Sequence, residues 1–281
     1  MNNRTKAIFE MLICATLWSI GGIFIKLLPW NGFAVASLRS LISGLVILIY
    51  IRMMRYPIIV NRQTVLSGCL TGCVYLCFVI ANKLTTAANA IVLQFTSPIF
   101  VLLYSALFFH AKIEKRDAVT VVITLFGIIL CFLDGLQGGY LLGNIIAITA
   151  GLFMAGMYVC LGNLEKVQRF SAAFFGQCFT AIVGFPWVIA THPVLNGATI
   201  SYVLILGIFQ LGISYVLYVR ASEFCPPIAC CLLGVLEPLL NPVWVMIFDG
   251  ETPGPFSFIG GLVVLITITV WCATGNKEKT A

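Results

Sequence analysis

Residues 232–248, LLGVLEPLLNPVWVMIF, decide how the rest of the chain is read. The run is apolar but is interrupted by Glu237-Pro238 and again by Asn241-Pro242. In a water-soluble protein it would be a broken core helix. The surrounding composition points elsewhere: 281 residues, 60% hydrophobic, 9% charged, with a mean hydropathy of +1.06. Globular domains carry about 25% charged residues, so this stretch reads as a membrane span with a carboxylate and two helix-breakers near its middle. A charge at that depth costs about 2.5–3.5 kcal/mol on insertion. Each proline also frees a backbone carbonyl that neighbours or a cavity must satisfy. Glu237 therefore needs a reason to be there.

Working outward, apolar runs of similar length recur at 7–28, 33–51, 64–82, 87–109, 117–134, 141–161, 170–190, 200–220, 228–248 and 255–273. About 20 residues suit a membrane-crossing helix, whereas barrel strands take about 10 alternating residues. The expected fold is an all-α membrane protein of ten transmembrane helices in a lipid bilayer. The first run is too long for the apolar core of a signal peptide and lacks an A-x-A-like exit, so it counts as a span. With the amino terminus inside, Arg4, Lys6, Arg52, Arg55, Arg62, Lys112, Lys115, Arg116, Lys166, Arg169, Arg220, Lys277 and Lys279 all fall on the inner side. The outer loops then hold only Lys83, while Lys26 and Arg39 lie within spans. Cytoplasmic loops collect Lys and Arg, so both termini are expected in the cytoplasm. The net charge of +6 belongs to those loops and does not imply a nucleic-acid partner.

The two halves resemble each other. Pro98 in FTSPIFVLLYSALFF and Pro238 in VLEPLLNPVWVMIF lie half a chain apart, each within the fourth span of its half. Five spans per half is an odd number, so the second copy must be inverted. Residues 1–137 and 138–281 are the expected repeats, around a central cavity. Broken helices at matching positions of inverted repeats point to a binding site near the midplane. Pro98, Pro238 and Pro242 are the candidate hinges.

At this stage the chain resembles the drug/metabolite transporter superfamily, in its ten-helix EamA-type branch. The resemblance rests on TLWSIGGIFIK (16–26), ASLRSLISGLVIL (36–48), GNIIAITAGLFMAGMY (143–158) and LGVLEPLLNPVWVMIFDGE (233–251), together with the paired proline spans. It implies a basket of helices whose first, third, fourth, sixth, eighth and ninth spans line a cavity, the second, fifth, seventh and tenth being peripheral. It also implies metabolite export across a bacterial cytoplasmic (inner) membrane. Two departures stand out: Asn241-Pro242 adds a second proline, and the first-half turn HAKIEKRD lacks the Gly-Glu of the second half.

Glu237 reads as a proton-coupling carboxylate or a counter-ion for a cationic group, with a purely structural carboxylate as the alternative. Gln94, Ser97 and Pro98 form its first-half counterpart, with Ser97 aligned on Glu237; the alternative for Gln94 is an interhelical hydrogen bond. Trp18, Tyr75, Tyr158, Gln210, Tyr215 and Tyr218 add aromatic and polar groups on the spans expected to line the cavity, the usual make-up of a small-molecule site. Gln210 and Tyr215 are five apart, which on an α-helix turns one of them away. Arg39 can reach Glu237 or a substrate carboxylate, but on a peripheral span it is expected to snorkel outward or tie carbonyls, and Lys26 and Lys83 are expected to snorkel as well. Gly68, Gly72, Gly21 and Gly22 allow close helix approach.

Catalysis has no visible machinery. His110 and His192 fall in loops on opposite faces, and no metal-ligand spacing or phosphate loop occurs. The eleven cysteines lie mostly within apolar runs, where a thiol acts as a small hydrophobe. A soft-metal site on Cys69, Cys73 and Cys77 would lack any accompanying His or carboxylate, so neither cofactor nor metal is expected. The leading expectation is a secondary exporter of small amino-acid-like or amphipathic metabolites working by alternating access, with protons as the candidate coupling ion. An organic-cation antiporter is the alternative, and a non-transporting membrane sensor or assembly subunit the third reading.

Overall fold

In a bilayer every backbone N–H and C=O must find a partner within the protein, and this chain meets the demand with helices alone among its described residues. The computed structural model describes residues 3–109, 115–138, 140–162, 164–224, 233–234, 236–250 and 252–274. Among the described residues, seven helical runs are long and apolar enough to cross a membrane, and the apolar helices Leu236–Phe248 and Pro255–Trp271 are shorter.

Among the described residues, three of the expected spans are discontinuous. The first divides at Ile20 into α1 (Asn3–Ser19) and α2 (Gly21–Leu27). The fourth divides at Phe95-Thr96 into α5 (Ala87–Gln94) and α6 (Ser97–Phe109). Pro98 therefore opens a helix instead of kinking one, and in the first turn its missing N–H has no intrahelical acceptor to lose. The eighth expected span is α10 (Gly197–Leu204), a π-helical segment (Ile205–Ile213) and α11 (Ser214–Phe224). The remaining elements are α3 (Gly32–Met53), α4 (Arg62–Leu84), α7 (Lys115–Gly138), α8 (Leu141–Gly162), α9 (Lys166–Thr191), α12 (Leu236–Phe248) and α13 (Pro255–Thr274). Residues 225–232 and 235, at the start of the expected ninth span, and His110 lie outside the described residues.

Small residues bring these helices together, as they must where lipid is as apolar as the side chains. Gly68 and Gly72 of α4 face α9, where added Cβ atoms would stand 2.9 Å from the Ala172 carbonyl oxygen and 3.0 Å from that of Gly176. Thr180 donates across this contact to the Gly72 carbonyl at 3.2 Å. Packing is thus the role of both glycines. The other side of α9 meets α3, where Ser37 Oγ donates to the Ala181 carbonyl at 2.7 Å. At the far edge α7 lies against α13 through Gly127, close to the Gly260 carbonyl. Phe126 and Ile129 of α7 and Phe258 and Ile266 of α13 remain exposed, the surface a lipid-facing pair requires.

The two lysines expected to snorkel do something else. Lys26 at the end of α2 donates to the Thr85 carbonyl at 2.8 Å, and Lys83 at the end of α4 donates to the Leu28 carbonyl. Each caps the other's helix, satisfying C-terminal carbonyls that have no intrahelical donor.

Candidate functional site

The break in the first span organises the site. Ser19 donates to the Thr16 carbonyl at 2.7 Å and accepts from Trp244 Nε1 of α12 at 2.9 Å. Just beyond it, the bare backbone of Gly21 and Gly22 lets two amides approach. A Cβ on Gly21 would stand 2.9 Å from Gln210 Nε2, and one on Gly22 would stand 2.3 Å from Asn241 Oδ1. The glycine pair read as a packing feature thus also seats one amide from the π segment and one from α12.

Gln210 comes to the cluster from the π segment and Tyr215 from the first turn of α11. The i→i+5 hydrogen bonding of the π segment widens the turn, so residues five apart share a face where α geometry would separate them. Gly207 and Gly212 show the same spacing, and both pack against α3, beside Ile42 and Val46. Gln210 and Tyr215, expected to turn apart, both reach the surroundings of Arg39.

Arg39 completes the cluster, which corrects its expected outward course. It is 1% exposed, with Nη1 donating to Gln210 Oε1 at 3.2 Å and Nη2 donating to the Tyr75 carbonyl at 3.3 Å. Of the roles expected for it, the tie to a carbonyl is the one present. The rings gather beside it. Tyr75 meets Tyr215 edge-on at 5.4 Å between centroids, and Trp18 lies 5.6 Å from Tyr215 and 5.5 Å from Tyr218, distances typical of favourable aromatic pairs. Tyr215 lies within electrostatic range of both Arg39 and Glu237. Glu237 is buried in the first described turn of α12, and Asn241, one turn on, is fully buried with neither amide atom paired.

Trp18, Tyr75, Gln210, Tyr215 and Glu237 are therefore brought to one region. Gln94 and Ser97 are buried at the α5–α6 break, where the Gln94 carbonyl faces Gly151 of α8 and Gln94 Oε1 has no hydrogen-bond partner. Tyr158 is half-buried on α8. Pro238 is buried beside Glu237, and Pro242 lies inside α12. A second polar cluster escaped the sequence reading: Asn144 Oδ1 accepts from Thr85 Oγ1 at 2.6 Å and from Asn89 Nδ2 at 3.3 Å. Its only sequence signal is asparagine within apolar runs. No group of three His, Cys, Asp or Glu is placed to hold a metal among the described residues.

Several apolar helices around a buried polar, aromatic and ionisable cluster define a multi-pass membrane transporter. The chain belongs to the EamA-like transporter family, which it matches over residues 5–133 and 141–272. Relatives include the pseudopaline exporter CntI of Pseudomonas aeruginosa, 23% identical over 83% of each chain. Human solute carrier family 35 member G1 is 22% identical over 95% of this chain and 78% of its own. The uncharacterized transporter YwfM of Bacillus subtilis is 24% identical over 96% and 95%. A crystal structure 17% identical in sequence superposes with a TM-score of 0.66 over 96% of this chain and 97% of that one, a likeness of fold.

Proposed function

We propose that this chain is a secondary exporter of small metabolites that works by alternating access in the bacterial cytoplasmic membrane. It does so as ten spans in two inverted halves, residues 1–137 and 138–281, with both termini cytoplasmic. The two separate stretches matched by the family support the division into halves, and the exporter among the relatives supports the direction. The observation that carries the reading is the cluster itself. A buried carboxylate and a buried guanidinium both lie within electrostatic range of Tyr215, with Trp18, Tyr75 and Tyr218 supplying apolar faces. Such a site suits an amphipathic, amino-acid-like solute. Coupling is assigned to Glu237, which takes up a proton on one side and releases it on the other.

Everted vesicles test this. With the proton gradient imposed, Glu237→Gln is expected to lose gradient-driven uptake while retaining downhill exchange. Driven transport at the parental rate would remove Glu237 from coupling.

A second reading, an organic-cation antiporter, draws on Trp18, Tyr215 and Tyr218 beside Glu237, since aromatic faces and a carboxylate attract cations. It predicts competition between substrate and proton, with proton release when the cation binds.

A further inference from the structure

Arg39 is a buried cation with no anionic partner among the described residues. Both hydrogen bonds found for it go to neutral acceptors, the Gln210 side chain and the Tyr75 carbonyl, and its Nε is buried with no acceptor at all. Its exposure is 1%. The two bonds, at 3.2 and 3.3 Å, are longer than the roughly 2.7–2.9 Å of a guanidinium–carboxylate pair. A guanidinium presents a planar fork whose natural complement is a carboxylate bound through two oxygens. Here two of the five N–H donors are used, both on neutral acceptors.

We propose that Arg39 is the anion receptor of the translocation site, and that the transported solute carries a carboxylate which displaces Gln210 from the guanidinium. The inference rests on the transporter reading above and narrows its substrate class. Gln210 is placed to yield. It sits in the π segment, its Nε2 lies against the glycine backbone at the break in the first span, and its own carbonyl is held separately by Ser214 Oγ at 2.5 Å. Moving the side chain therefore leaves the helix bonding intact. Glu237 also lies within electrostatic range of Tyr215, so a zwitterion would set its carboxylate on Arg39 and its ammonium toward Glu237. A solute with a cationic group and no carboxylate would leave Arg39 uncompensated, which separates this proposal from the organic-cation reading.

The test uses the purified full-length protein and a matched panel: apolar amino acids, and the same compounds as carboxamides. Thermal stabilisation and flux in liposomes are measured for both sets. Stabilising compounds are expected to keep their carboxylate, with the amides at least tenfold weaker, and Arg39→Gln is expected to erase that difference. Gln210→Glu places a resident carboxylate on Arg39. It is expected to fold with a melting temperature no lower than the parent while carboxylate flux falls at least tenfold. Amides that bind and move as well as acids would overturn the proposal, as would Gln210→Glu transporting at the parental rate. Movement of the cationic carboxamides alone would leave the transporter reading standing and sink this one. If no solute in the panel moves or stabilises the protein, both readings fall.

Discussion

A basic residue inside an apolar run has two outlets, water at the membrane surface or a partner in the protein. Arg39, Lys26 and Lys83 all take the second. Sequence spacing located the three residues but not their destinations, because each partner comes from a distant helix: Gln210 for Arg39, Thr85 for Lys26 and Leu28 for Lys83. For the lysines the distinction is measurable. A snorkelling lysine replaced by methionine loses little. Lys83→Met here strips a charged donor from a helix-end carbonyl, and hydrogen bonds to charged groups are worth about 1.5–3 kcal/mol. Unfolding in detergent should show a loss in that range for Lys83→Met, and a similar loss for Lys26→Met. A change below about 0.5 kcal/mol in both would return them to the surface role.

At the scale of elements, Pro98 marked the neighbourhood of a break but not its place, while the described helix Leu236–Phe248 runs through Pro238 and Pro242. In the first half the chain breaks at Phe95-Thr96, and Pro98 starts the helix that follows. Two further discontinuities, at Ile20 and across the π segment, have no proline nearby, while Pro186 sits inside an unbroken α9. The π segment was illegible because hydrophobic periodicity assumes 3.6 residues per turn and nothing in ILGIFQLGI departs from an ordinary apolar run. What holds it is tertiary. A Cβ on Gly207 would stand 2.5 Å from Ile42 Cβ and 3.0 Å from the Arg39 carbonyl oxygen, both parts of α3 that cannot easily yield. Overpacking of this kind costs about 1–3 kcal/mol, so Gly207→Ala should be destabilised by that amount and should weaken transport, because Arg39 and Gln210 move with the contact. Gly197, with nothing within 4 Å of an added Cβ, is the control; Gly197→Ala should melt with the parent. Equal melting of the two variants would mean that the π segment is not pinned by α3.

For the whole molecule, the side-chain contacts sort the ends of the helices in a way the charge pattern anticipated. One end gathers Glu10 with Arg220 at 2.7 Å, Lys166 with Glu223, and the Ile59 amide with Ser171 Oγ at 3.0 Å. The other gathers Trp30 with the Val194 carbonyl at 3.1 Å and the crossed lysine caps at Leu28 and Thr85. The first end is also where Arg52, Arg55, Arg62 and Arg169 emerge, so it is the end that the positive-inside rule assigns to the cytoplasm. The structure alone has no inside or outside. Labelling does: Val60, 71% exposed between α3 and α4, and Val194, 67% exposed after α9, lie at opposite ends. With a membrane-impermeant maleimide, Val194→Cys should label in intact cells above the parental background, and Val60→Cys only after permeabilisation. The reverse pattern would put the basic end outside. Glu237 and Arg39 would keep their places in the cluster, and uptake into everted vesicles would still report movement out of the cytoplasm, because eversion keeps each face of the protein on its own side of the bilayer; what would change is the end of the bundle from which the solute enters the site.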